Sequence, residues 1–262
     1  MGTIQPDRDL KPLVLARYRG GTVDEDLAAR VLADAIKTTA DTPTDEHGVG
    51  WSVDAWLSRS DWDGEARAHV EAIATTLPEV PEKDGRLWIT RADVFDRREE
   101  ADGLDLYLAA MAWGYGRVGY GAWRTAAVLR RNGSAGVRHT VAHLRSMALD
   151  PSSGYFRAWS AGGEAKLTGV GSAFASKLAY CAAYDRSSGT GPLIADVNTS
   201  WALWALTGIE NSRVSSRRYE HYVAWAEEQA GGLRCRSDDI ERALFTLGPV
   251  VRRLDSESAI SN

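Results

Sequence analysis

The chain has 262 residues, of which 44% are hydrophobic and 26% are charged, with a formal net charge of −5 at pH 7. This hydrophobic content is enough to bury a core, which excludes a disordered chain, and no apolar run approaches the ~18 residues that a membrane helix needs. The first residues carry charges throughout and lack the apolar segment of a signal peptide, so we expect a cytoplasmic protein.

Cysteine and histidine are too few to indicate a metal centre. Cys181 and Cys235 cannot form a disulfide framework or a four-cysteine zinc or iron–sulfur site. His139 and His143 would share one helix face, but no third ligand is evident near them in the sequence. The sequence therefore predicts no metal and no cofactor.

The charges divide the chain unevenly. Residues 1–102 have a charge balance of −9, whereas residues 103–262 have a balance of +4. This distribution predicts an acidic N-terminal helical region over 1–102 and a second region over 103–262 that presents a basic face.

The first region is predicted to be mainly helical. Helical spacing of apolar residues and an acidic first turn predict a helix over residues 22–40 with Thr22 as its N-cap. Two more helices are predicted at 52–59 and 63–77, and residues 87–100 are predicted to begin extended and to become helical after Thr90.

The second region is also predicted to be helical. An apolar helix over 103–116 runs into an aromatic loop with several glycines, and a helix over 124–133 is expected to stop at Gly133. Further helices are predicted at 137–149, 199–208, 216–232 and 237–248. No long stretch alternates apolar and polar residues, so the fold class is predicted to be mainly α.

A short two-glycine turn, LTGVG, lies between two helical segments in the stretch Lys166–Lys177. Gly169 and Gly171 permit positive φ and close approach of another backbone, Val170 can insert between the flanking helices, and Ser172 is predicted to cap the next helix. The exposed N–H groups of such a helix start suit a phosphate, and Lys166 can add a charge contact. The alternative is an ordinary helix corner whose glycines serve packing.

Asp196 follows a short apolar run and precedes a predicted helix. Asn198 and Thr199 are interpreted as the caps of that helix, which leaves Asp196 without an obvious capping role. The alternative is an aspartate that serves only the helix start or a turn.

Together, LTGVGSAFASKLAYC and LIADVNTSWALWALTG resemble the helix–hairpin–helix DNA glycosylase superfamily. The segments DIERALFTLG and AWGYGRVGYGAWR resemble its bacterial branch of 8-oxoguanine DNA glycosylase-like proteins. The resemblance implies two helical lobes with a cleft between them. It also implies a hairpin at Gly169, Val170 and Gly171 that holds double-stranded DNA, and a catalytic aspartate at Asp196. The close match spans roughly residues 166–208, and residues 1–102 contribute almost nothing to it.

The resemblance is incomplete at the catalytic lysine. Lyase-type members carry a lysine two residues after the last hairpin glycine, where this chain has Ala173. Lys177 lies one turn further along the same helix face and is the alternative catalytic lysine, or a structural or DNA-contacting one. A carboxylate can support simple hydrolysis, whereas a covalent intermediate needs the amine. We therefore expect a monofunctional glycosylase, acting as a monomer, that leaves an abasic site.

The target base must leave the helical stack, which requires a wedge and a pocket. The loop between Trp113 and Trp123 is predicted to supply them through Trp113, Tyr115 and Tyr120, although Trp113 and Trp123 also fit a buried core stripe. Ala173 in place of a long lysine enlarges the predicted pocket.

The expected substrate is therefore a modified base of the bulky phage type, excised in defence against foreign DNA. The alternatives are repair of 8-oxoguanine and a non-catalytic helix–hairpin–helix DNA-binding protein.

Overall fold

The computed structural model describes residues 6–59, 62–80, 86–98, 102–146, 163, 165–209 and 216–260. Helices dominate these residues, which confirms the mainly α prediction. Within this part of the chain, no helix is both long enough and apolar enough to cross a bilayer.

The chain forms two compact units, residues 1–44 with 185–262 and residues 45–184. The boundary predicted at residue 102 coincides with neither of the two boundaries in the structure, which fall after residues 44 and 184. Charge balance reports on the surface, whereas the units are defined by which segments pack together, and helices on both sides of residue 102 pack in the second unit.

The first unit is built around its last helix. It contains α1 (Pro6–Tyr18), α2 (Glu25–Thr39), α9 (Val197–Thr207), α10 (Ser216–Leu233) and α11 (Ser237–Ile260). Helix α11 packs against the other four. The helix predicted over 22–40 is confirmed as α2, but its N-cap is Asp24, which accepts a hydrogen bond from the Leu27 N–H, and not Thr22.

The second unit surrounds an apolar helix. Its elements are β1 (Gly48–Trp51), α3 (Val53–Leu57), α4 (Gly64–Thr75), β2 (Leu87–Thr90), α5 (Arg91–Asp96), α6 (Gly103–Tyr115), α7 (Gly121–Ser146) and α8 (Ser172–Ala183); a 3₁₀ turn, Thr44–Glu46, precedes β1. Helix α6 is buried along nearly its whole length, as expected for a helix that is apolar on every side. It contacts α4, α5, α7, α8 and both strands.

One local feature of the second unit differs from prediction: strand β1 was not predicted, and it pairs antiparallel with β2, with Val49 opposite Ile89. The helix stop predicted at Gly133 is confirmed, because α7 consists of two helical stretches that meet at a kink there, where Gly133 is non-helical with a φ of 69°. The extended-to-helical change at Thr90 is confirmed, because Thr90 and Asp93 form a capping box at the start of α5. The predicted helix end at 147–149 lies outside the described residues.

Gly248 is expected to be critical for the stability of the first unit. A Cβ there would overlap the backbone oxygen of Asn198, so α9 and α11 can pack this closely only around a glycine. Gly248→Ala should lower the free energy of unfolding by about 2 kcal/mol or more, measured by urea denaturation.

Gly231→Ala is the matched control, since no described atom lies within 4 Å of a Cβ on that helical glycine. It should stabilise the protein by about 0.5–1 kcal/mol. Equal effects of the two changes would contradict the packing explanation.

Candidate functional site

The two-glycine turn is a tight hairpin. The Val170 N–H donates to the Leu167 carbonyl at 3.2 Å, and Gly169 has a φ of 96°, which favours glycine. Leu167 is buried and Val170 is half-buried, whereas Gly169 and Gly171 are exposed. The hairpin is thus anchored by its apolar side chains while its glycine backbone faces outward.

Asn132 holds this hairpin from α7. Its Nδ2 donates to the Thr168 carbonyl at 3.0 Å and to the Val128 carbonyl at 2.7 Å, and its Oδ1 accepts from the Thr168 N–H at 2.9 Å. The amide therefore satisfies both backbone groups of Thr168. Asn132 was not predicted as a site residue, since it precedes Thr168 by 36 positions.

Helix α8 begins directly at the hairpin. Gly171 is its N-cap, so the prediction that Ser172 caps the helix is wrong: Ser172 is its first residue and is exposed. Within the described residues, no side chain caps this terminus and its first turn carries no acid. Lys166, just before the hairpin, is exposed. This helix start can accept an anion from solvent.

A pocket of about 300 Å³ adjoins the hairpin. The hairpin and the first turn of α8, including Ala173, form one wall. Helices α6 and α7 form the others; their lining residues are Tyr107, Met111, Tyr115, Arg124, Thr125 and Val128. The structure thus brings Tyr115, Ala173 and the hairpin together around one cavity.

Two tyrosines line this pocket. Tyr115 stacks on Phe174 with ring centroids 4.0 Å apart. Burial raises the pKa of Tyr115, and it also raises the pKa of Tyr107, so both hydroxyls remain hydrogen-bond donors at neutral pH. The buried Tyr107 hydroxyl has no hydrogen-bond partner within the described part of the chain.

The remaining aromatic residues of the loop occupy different environments. Tyr120 is 55% exposed and contacts Tyr115 edge to face, with centroids 5.8 Å apart. Trp113 is buried, donates to the His47 carbonyl at 3.2 Å, and lines a second pocket of about 420 Å³ together with Tyr115 and Trp88. Trp113 is thus a wall residue and not an exposed wedge.

Packing explains part of this loop. Trp123 is 49% exposed, so its interpretation as buried core is wrong. Gly114 and Gly121 have packing roles: a Cβ on Gly114 would lie 2.9 Å from the Phe174 ring, and one on Gly121 would lie 2.6 Å from Tyr115.

Lys177 lies on the buried side of α8. Its Nζ is 5.7 Å from the centre of the Phe174 ring, and its Cδ would be 3.2 Å from a Cβ on Gly114. The side chain is therefore packed where α6 and α8 approach each other, and it does not line the pocket that contains Ala173.

Asp196 lies in the first unit and is the N-cap of α9. Its Oδ1 accepts from the N–H groups of Asn198 and Thr199, at 3.0 and 3.1 Å, and the Asp196 N–H donates to Thr199 Oγ1 at 2.9 Å. The prediction that Asn198 and Thr199 cap this helix, leaving Asp196 without that role, is wrong. The carboxylate is half-buried and has a fixed orientation at a helix N-terminus, where negative charge is favoured.

The segment leading to Asp196 is held by two tyrosines of α10. The Tyr219 hydroxyl accepts from the Leu193 N–H at 3.0 Å and donates to the Leu193 carbonyl at 2.8 Å. The Tyr222 hydroxyl donates to the Ile194 carbonyl at 3.1 Å. All of these groups are buried, so the backbone segment that leads to Asp196 is rigidly positioned.

The mainly helical fold, the hairpin at Gly169–Gly171 and the aspartate at Asp196 are the features on which the resemblance to helix–hairpin–helix DNA glycosylases rests. Over residues 42–245 the chain matches the family described as "Putative 8-oxoguanine DNA glycosylase OGG-like protein". The chain belongs to this OGG-like family of DNA glycosylases, which confirms the resemblance found in the sequence. No curated protein and no solved structure matches the chain.

Proposed function

We propose that this protein removes a modified base from double-stranded DNA by hydrolysis and leaves an abasic site, with Asp196 as the catalytic carboxylate. One observation carries the proposal. The residues that match the family contain both the exposed glycine hairpin and a carboxylate held in a fixed orientation. The chemistry requires both a grip on the DNA backbone and a fixed negative charge.

Asp196 would act on the sugar of the target nucleotide. Positive charge builds on the deoxyribose as the base leaves, and a preorganised carboxylate stabilises this charge and can orient the attacking water. The two capping hydrogen bonds and the pinned segment before Asp196 support this role because the carboxylate does not have to reorganise during the reaction.

The hairpin would bind a DNA phosphate through Gly169, Val170, Gly171 and Ser172, with Lys166 adding a charge contact. Gly171 supports this role. Its φ is −84°, and no described atom lies within 4 Å of a Cβ placed on it, so neither its own conformation nor packing within these residues requires glycine. Close approach of an external group would require it.

Absence of a lysine at position 173 favours simple hydrolysis. We expect the protein to release base without cutting the strand, so that product strands break only after alkali treatment. Borohydride should trap no covalent protein–DNA adduct, because no Schiff base forms. A trapped adduct that disappears in Lys177→Gln would contradict this prediction and identify Lys177 as the nucleophile.

The pocket beside the hairpin is the proposed receptor for the flipped base, with Tyr115 and Ala173 as walls and the exposed Tyr120 as the wedge. Its volume of about 300 Å³ and the polar side chains of Arg124, Thr125 and Ser172 in its lining support a base with an additional polar substituent. A bulky base of this kind occurs in modified phage DNA, so we propose a role in defence against foreign DNA, with 8-oxoguanine repair as the competing role.

A duplex panel tests the substrate. Duplexes containing 8-oxoguanine, a pyrimidine with a bulky hydroxylated adduct, or only normal bases are incubated with the protein and then treated with alkali. Cleavage at the bulky pyrimidine is expected. Cleavage of the 8-oxoguanine duplex alone would rule out the bulky-base proposal but support glycosylase activity. If no duplex is cleaved, neither modified base is a substrate of the protein.

A non-catalytic DNA-binding protein is the second candidate. The capping role of Asp196 favours it, because the cap gives this aspartate a structural purpose that needs no catalysis. A carboxylate near DNA phosphates would repel them, which counts against a pure binder, and substitution of Asp196 separates the two functions.

A further inference from the structure

Arginines recur at seven-residue intervals along the segment that supports the hairpin: Arg117, Arg124, Arg131, Arg138 and Arg145. No aspartate or glutamate occurs between Asp105 and Asp150, although the whole chain carries a net charge of −5. This local excess of positive charge is not explained by the hairpin or by the base pocket.

Two of these arginines lie beside the hairpin or the pocket next to it. Arg124 and Arg131 are two turns apart on the first half of α7, which places them on the same helix face about 10 Å apart along its axis. Arg124 lines the pocket that the hairpin closes, and Arg131 Nη1 would lie 2.9 Å from a Cβ on Gly169. Both side chains are exposed.

Arg138 has a different, structural role. It follows the kink at Gly133, and its guanidinium pairs with Asp102 at 2.8 Å and also with Glu65. The hydrogen bond from Arg138 lowers the pKa of Asp102 to about 2. Arg124 instead lies over the Tyr120 ring, with its guanidinium carbon 5.3 Å from the ring centre, an arrangement that orients it without neutralising its charge.

We infer that Arg124 and Arg131 bind phosphates of double-stranded DNA beside the hairpin, extending its single phosphate contact into a track along α7. One DNA strand carries a phosphate about every 3.4 Å of helix axis, so with α7 parallel to that axis the ~10 Å between the two arginines corresponds to about three phosphate steps. The inference rests on the proposed function only in taking DNA as the partner. Contacts of this kind position the protein without reading base sequence.

The salt dependence of binding to an undamaged duplex tests this inference. The slope of log K against log salt concentration should fall by about 1 in Arg124→Gln and in Arg131→Gln, and by about 2 in the double variant, for any duplex sequence. Arg30→Gln is the control: it removes the same charge from an exposed position on α2. Its slope should equal that of the wild type.

Fold and function can be separated in this experiment. Melting curves check folding, and if Arg124→Gln is unstable, Arg131→Gln alone still decides the inference. Unchanged slopes in variants of a protein that still excises base would overturn the arginine track and leave the proposed function intact. Reduced slopes without any base release would support the track and count against catalysis, whereas failure of the wild type to bind DNA would overturn both.

Discussion

Asp196→Asn is expected to reduce base release by at least about 10²- to 10³-fold while DNA binding is retained or becomes tighter. The loss follows because a neutral amide cannot stabilise the positive charge that develops on the sugar. Binding is retained because a negative charge that repels the phosphates has been removed. The measurements are single-turnover base release and equilibrium binding to a duplex that contains the substrate base.

This substitution is informative because it preserves the fold. Asparagine is as good an N-cap as aspartate, and its side-chain oxygen can accept the same two bonds from Asn198 and Thr199. Asp24→Asn is the matched control, since Asp24 caps α2 of the same unit through the same type of bond. It should leave base release unchanged.

Two results would contradict the catalytic role. If Asp196→Asn retained base release, the aspartate would be only a cap, and the non-catalytic binder would be favoured if the wild type also released no base. If Asp196→Asn and Asp24→Asn reduced activity equally, the effect would come from helix capping and not from charge at the reacting sugar.

The features that could be predicted from the sequence are those that depend on local pattern. The uniformly apolar α6 and the extended-to-helical change at Thr90 were predicted because adjacent residues determine them. The hairpin was predicted because few residues besides glycine adopt the conformation of Gly169.

The errors arose where distant packing selects among equivalent local choices. Asp196, Asn198 and Thr199 are all good cap residues, and the first turn of α9 packs against Gly248 of α11, 50 positions later in the chain. Strand β1 is short and glycine-rich, and it is a strand because β2 pairs with it. Neither packing partner, Gly248 or β2, can be identified from the residues adjacent to these elements.

The residues that support the site were missed for the same reason. Asn132 was interpreted only as part of a helix end, although its side chain closes the hairpin across 36 positions. Tyr219 and Tyr222 are three apart on α10, a spacing that predicts a shared face but not which backbone they hold. Catalytic-type residues have recognisable spacing, whereas the residues that position them are defined only by the fold.

Ala173→Phe is expected to abolish release of a bulky base, by about 10²-fold or more, with little change in binding to undamaged DNA. Ala173 is a half-buried wall of the ~300 Å³ pocket, and a phenyl ring would occupy much of the volume proposed for the flipped base. A displacement of the base by about 1 Å is enough for a loss of this size. Binding should persist because the hairpin glycines and Lys166 are untouched.

Ala173→Ser is the control that changes the same position without filling the pocket, and it should retain most of the activity on the bulky base. If the size of the base is what matters, Ala173→Phe should impair release of a smaller modified base less than release of a bulky one. Equal losses on both substrates, in a variant with the wild-type melting temperature, would mean that position 173 affects the geometry of the reaction and not the size of the base. Full activity on the bulky base would mean that the base enters elsewhere, and the pocket beside the hairpin would then have no part in substrate recognition.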